Sequence, residues 1–122
     1  METNTVKRDI LIVDDEEELC LLMKDILERK QFNVKVAHSI SGAAGMIEKN
    51  KPDIIFLDNN LPDGNGIDFI HTIIEESAAT KVIMMTSDTE NYIQQKAIRE
   101  GASLFLFKPF TVSNIYNLLN VV

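Results

Sequence analysis

Five side chains able to do polar chemistry stand at the ends of four apolar runs. Run 9–13 leads into Asp14 and Asp15, run 54–57 into Asp58, run 82–85 into Thr86, and run 104–107 into Lys108 and Pro109. In an open parallel sheet, ligands bind just beyond the carboxyl ends of the strands. Adjacent parallel strands would therefore gather three carboxylates, a hydroxyl and an ammonium in one crevice. Carboxylates that close repel one another unless a cation neutralises them. Magnesium suits such a set, because it prefers oxygen ligands in octahedral geometry and commonly shares its shell with phosphate. A rigidly held Asp58 oxygen is then a reasonable nucleophile toward phosphorus. Mg²⁺ would neutralise one side of a phosphoryl group and Lys108 the other, while the Thr86 hydroxyl donates to a third oxygen. Acids at a helix start also stabilise its dipole, which accounts for Glu16, Glu17 and Glu18. It does not account for a lone Asp at the end of the run 54–57.

The elements that would position these residues alternate regularly. Leu19, Leu22, Met23, Ile26 and Leu27 keep the spacing of a buried helical stripe. Residues 33–37 read as a short strand. A helix follows from Ser41, as N-cap, to Asn50, with Ala43, Ala44 and Ile47 facing inward, and Pro52 breaks it. Ile67, Ile70, Ile73 and Ile74 mark a third helix, and residues 81–85 a fourth strand. The fourth helix spans 89–100 and ends at Gly101, a residue suited to a left-handed cap. Residues 103–107 form the fifth strand. A last helix carries Ile115, Leu118, Leu119 and Val122 on one face and stops where the chain stops. Strands one, three, four and five are continuous apolar runs, as burial on both faces demands. Short connections between strand and helix imply right-handed crossovers and a parallel sheet. The expected architecture is a doubly wound (βα)5 α/β fold, order 2-1-3-4-5, of the flavodoxin-like type.

At 122 residues the chain is the size of one domain, with 45% apolar and 25% charged residues, and no repeat, linker or second domain is visible. A net charge of -7 with scattered basic residues argues against direct nucleic-acid binding. The single Cys20 excludes an internal disulfide, fits a reducing compartment and reads as a packed helix residue among leucines. Neither a signal peptide nor a membrane-length apolar stretch occurs, so a cytoplasmic protein is expected. His38 and His71 read as surface residues, remote from the metal ligands.

The chain resembles the response-regulator receiver domain of two-component signalling over essentially its whole length. The motifs that carry the resemblance are Ile12-Val-Asp-Asp-Glu16, Leu57-Asp-Asn-Asn-Leu-Pro-Asp-Gly-Asn-Gly66, Met85-Thr-Ser87 and Gly101-Ala-Ser-Leu-Phe-Leu-Phe-Lys-Pro-Phe110. It implies a single receiver domain over 1–122, in which Asp58 accepts a phosphoryl group from the phosphohistidine of a histidine kinase or phosphotransfer protein. It also implies Mg²⁺, with Mn²⁺ as a substitute, held directly by Asp15 and Asp58, through water by Asp14, and by the backbone carbonyl of Asn60. Thr86 would be the switch hydroxyl, Lys108 the phosphate-pairing ammonium, and Lys108-Pro109 a cis peptide. Phe105 takes the place of the family's swinging aromatic, where many relatives have Tyr. The responding face would be the fourth helix, fifth strand and fifth helix, around Tyr92, Lys96, Phe105 and Tyr116, through which a homodimer or a downstream effector would bind. Asn60 and Asp88 would flank the water that removes the phosphoryl group.

Two other readings compete. A magnesium phosphatase of the haloacid-dehalogenase type also uses a strand-end Asp nucleophile, but on its first strand, with a second Asp two residues later and a covering cap. Asp14 and Asp15 are adjacent here, and nothing is long enough for a cap. A degenerate receiver acting as a phosphorylation-independent dimerisation module is the alternative within the family. Nucleotide binding is weaker still, since neither glycine-rich phosphate loop occurs.

Overall fold

The computed structural model describes residues 7–87 and 91–122. Its elements are β1 (Asp9–Val13), α1 (Glu17–Arg29), β2 (Asn33–Ala37), α2 (Ile40–Lys49), β3 (Ile54–Asp58), α3 (Gly66–Glu76), β4 (Lys81–Thr86), α4 (Asn91–Glu100), β5 (Leu104–Phe107) and α5 (Val112–Leu119). The five strands form one parallel sheet in the order β2-β1-β3-β4-β5. Between β3 and α3, Asn60–Leu61 pairs antiparallel with Gly64–Asn65 in a short ribbon that the sequence did not signal.

Period-two alternation sends successive strand side chains to opposite faces. Leu11, Val13, Ile55, Leu57, Val82 and Met84 pack with α2, α3 and α4. Ile10, Ile12, Ile54, Phe56, Ile83 and Met85 pack with α1 and α5. The central β3 is buried at every position. The edge strand β5 is less apolar in its surroundings than its composition suggests: Phe107 is 37% exposed.

Helix faces differ from the expected ones where neighbours compete for the stripe. In α1 the buried set is Cys20, Met23, Ile26 and Leu27, and Leu22 is 57% exposed. Leu22 stands about 100° from Met23 around the helix while Cys20 stands about 60° away, so the smaller residue takes the inner place. Ala44 is likewise turned outward beside buried Ala43 and Ile47. The N-cap of α2 is Ser39 rather than Ser41: Ser39 Oγ accepts from Gly42 N at 3.0 Å. Ser41 N instead donates to Asp63. In α3, Phe69 joins Ile67, Ile70 and Ile73 in the interior, with Ile74 partly buried. The described part of α4 begins at Asn91; the expected start at Thr89 lies outside the described residues. Gly101 closes α4 with φ +117°, where a Cβ would also meet Ile74 Cγ1 at 2.9 Å. Helix α5 starts in a Thr111/Asn114 capping box and ends at Leu119, short of the last residue. No helix among the described residues is long and apolar enough to cross a membrane.

Candidate functional site

The site is built on the ends of β3 and β4 and on the residues that follow β1 and β5. Parallel register sets Val13 beside Leu57, Asp58 beside Met85, and Thr86 beside Phe107. The residues that follow therefore share one rim of the sheet. One oxygen each from Asp14, Asp15 and Asp58 lies within 4.8 Å of the others. Asp14 and Asp58 are buried at 0% and 5% exposure, while Asp15 faces solvent.

Lys108 ties this group together. Its Nζ lies 2.8 Å from Asp14 Oδ2, 3.1 Å from Glu16 Oε1 and 3.3 Å from Asp58 Oδ1. Burial pulls the Lys108 ammonium down, but the hydrogen bond and charge of Asp14, with Asp58 and Glu16, outweigh it and hold the pKa above the ordinary lysine value. Burial pushes the Asp58 carboxyl up to about 6; the charge of Asp14 adds to this and Lys108 opposes it. Three hard oxygen donors, two of them on buried carboxylates, fit a small divalent cation.

Thr86 ends β4 with 3% exposure, and its carbonyl accepts from Lys108 N at 2.9 Å. The Lys108-Pro109 peptide is cis, as the sequence reading expected. Phe105 is half-buried and stacks on Phe107, ring centroids 6.0 Å apart at 9°. Of the outer face, Tyr92 is 63% exposed. Lys96 pairs with Asp68 at 3.1 Å, and Tyr116 is half-buried with Lys30 Nζ 4.3 Å above its ring. Asp88 lies outside the described residues.

The loop after Asp58 is held at several points. Asn59 O accepts from Gly66 N at 2.8 Å, and Asn59 Oδ1 accepts from Ile67 N at 3.0 Å. A Cβ at Gly66 would overlap the Asp58 carbonyl oxygen, so glycine is required where α3 begins. Asp63 Oδ1 and Oδ2 accept from Ile40 N and Ser41 N at 2.8 and 3.0 Å, which ties the ribbon to the first turn of α2. These two amides hold the Asp63 carboxyl below the usual aspartate range.

Sequence reasoning missed several of these parts. Asn59 and Asp63 carried only the general signal of turn residues that accept backbone hydrogen bonds. Glu16 reads as a helix-dipole acid, yet it stands at the N-cap of α1 without any side-chain cap hydrogen bond. His38 is exposed as expected, but its Nδ1 lies 2.9 Å from the Asp14 carbonyl, which can only accept, so that nitrogen carries the proton. Cys20 is packed as expected, its Sγ 3.3 Å from the same carbonyl, and burial with the Asp14 charge pushes the thiol up to about 12. His71 pairs with Glu75 on the surface at 2.6 Å.

Comparison with known proteins agrees with this geometry. A family model described as the response regulator receiver domain matches residues 10–120. The chain is 33% identical over 116 residues to the chemotaxis protein CheY of Thermotoga maritima, covering 93% of this chain and 95% of that one. It is 37% identical over 101 residues to the transcriptional regulatory protein CpxR of Escherichia coli, covering 83% of this chain but only 43% of the regulator's length. A two-component response regulator from Clostridium difficile superposes with a TM-score of 0.89 at 29% identity, over 93% of both chains. The non-phosphorylated HemR receiver domain from Leptospira biflexa gives 0.87 at 31%, over 93% of this chain and 92% of that one.

Proposed function

Because this chain belongs to the response regulator receiver domain family, we propose that it is a phosphoacceptor switch of a two-component phosphorelay, modified at Asp58. Residues 1–122 act as one receiver domain in the cytoplasm. An Asp58 carboxylate oxygen forms a bond to the phosphorus of a phosphohistidine, on a histidine kinase or phosphotransfer protein, as the N–P bond breaks and its electron pair leaves with the imidazole. Mg²⁺, or Mn²⁺ in its place, held by Asp14, Asp15, Asp58 and the Asn60 carbonyl, would supply charge neutralisation at the phosphoryl oxygens. Lys108 keeps its proton throughout and pairs with a phosphoryl oxygen. Its raised pKa supports that role.

The phosphoryl group adds about 1.5–2 negative charges and three acceptor oxygens at the end of β3. Thr86 donates its hydroxyl to one of them. Movement of Thr86 frees space beneath Phe105, which has no hydroxyl to anchor it in either position, so packing alone sets its balance. The altered face is α4, β5 and α5, where a second copy or an effector docks. Asn60 and Asp88 orient the water that later hydrolyses the acyl phosphate. The chain thus catalyses its own loading and unloading and turns over no metabolite.

One observation carries this reading: a half-buried Lys lies within ion-pair distance of two buried carboxylates, one of them the Asp at the end of β3. Incubation with an acyl-phosphate donor and Mg²⁺, followed by intact-mass measurement, should show a gain of one phosphoryl group. Asp58→Ala and metal-free samples should show none. Equal labelling of Asp58→Ala would overturn the assignment, and no labelling at all would leave the phosphorylation-independent module.

A further inference from the structure

Glu16 occupies the N-cap of α1 but leaves the first-turn amides uncapped by its side chain. Its carboxylate reaches Lys108 Nζ instead, at 3.1 Å. An ammonium has three N–H donors, and here three carboxylates surround it: Asp14, Glu16 and Asp58. A phosphoryl oxygen on Asp58 needs one of those donors. The three anions are not equally easy to release. Asp58 itself becomes the acyl phosphate, and Asp14 is 0% exposed and would be stranded as a buried charge, whereas Glu16 is 61% exposed and passes readily into water. Glu16 and Lys108 also line an open cleft of about 410 Å³ with Leu19, Leu22, Ser87, Pro109 and Phe110.

We infer that Glu16 is a placeholder on Lys108: its carboxylate holds the donor that a phosphoryl group on Asp58 takes over, and so it limits how fast small anionic phosphodonors load the site. This rests on the phosphoacceptor reading above. It makes Glu16 a positioning residue, acting through Lys108 rather than on phosphorus. In the loading step with acetyl phosphate, the Asp58 oxygen bonds to phosphorus while the O–P bond breaks and its electrons leave with acetate. No proton moves, and Glu16 departs from Lys108 as the phosphoryl oxygen arrives.

The test follows mass gain with time under acetyl phosphate and Mg²⁺ in five proteins. Glu16→Gln should load about two- to fivefold faster than the unaltered chain, the range expected from losing an exposed ion pair. Glu16→Asp keeps the charge but shortens the reach to Lys108, and it should accelerate loading similarly. In a Lys108→Met background, Glu16→Gln should change nothing. A carboxylate that merely repels the anionic donor would give no acceleration in Glu16→Asp and the same acceleration with or without Lys108. Either result overturns the inference, as does an unchanged rate in Glu16→Gln. Absence of any mass gain in the unaltered protein would instead remove the phosphoacceptor reading, and this inference with it.

Discussion

Lys108 Nζ donates to Asp14 Oδ2 at 2.8 Å, and Asp14 has no exposed side-chain surface. Removing the ammonium would leave a buried carboxylate without a counter-charge. Lys108→Ala should therefore lose about 2–4 kcal/mol of stability in chelator-treated buffer. Millimolar Mg²⁺ should recover much of it, since a cation bound only to the folded state stabilises by mass action. Urea melts in the two buffers measure this directly. An equal loss in both would mean that no cation shares the pocket with Lys108.

Asp58 makes the metal-free protein sensitive to pH. Its carboxyl is raised from 3.8 to about 6, first by burial and then by Asp14. A raised carboxyl contributes stability that is fully present below its unfolded value and is lost as pH rises through its folded value. Asp58→Asn cannot ionise, so at pH 7.5 without metal it should be more stable than the unaltered chain by about 2–3 kcal/mol. Near pH 4 the two should converge. Parallel melting curves across that interval would contradict the assigned shift.

Gly66→Ala tests how tightly the end of β3 is packed. The added methyl must displace the Asp58 carbonyl, and overpacking of this kind costs about 1–3 kcal/mol. Because the displaced carbonyl belongs to Asp58 itself, Mg²⁺ affinity measured by calorimetry should fall along with the melting temperature. A melting change with intact affinity would show that the strain is relieved on the α3 side.

Asp63→Ala should lower the urea midpoint and speed hydrogen exchange at the Ile40 and Ser41 amides, its two donors. Asp63→Asn keeps an acceptor and should lie between. The contribution of Asp63 is intact above the ordinary aspartate range and disappears on acidification through its own lowered value. Unchanged exchange at both amides in Asp63→Ala would refute the tie between the ribbon and α2.

The sheet order and the rim residues were legible because apolar runs and their terminal polar residues depend on covalent neighbours alone. Asp14, Asp58, Thr86 and Lys108 needed only parallel pairing to converge. What eluded the sequence was decided by partners distant in the chain. Ser41 read as the cap of α2, but its amide goes to Asp63 and Ser39 caps the helix. Leu22 looked as buried as Met23 until the helix angle gave the inner place to Cys20. Glu16 looked like a dipole acid because its partner, Lys108, lies 92 residues away.

The two apolar clusters on opposite sides of the sheet share no side chain. Substitutions beneath α1 and α5 that lie well apart from those beneath α2, α3 and α4 should therefore have costs that simply add. Descendants of this chain can drift on one side without compensating change on the other. At the rim, Lys108 reaches across to Asp14 and Asp58, and these three residues are obliged to evolve in step.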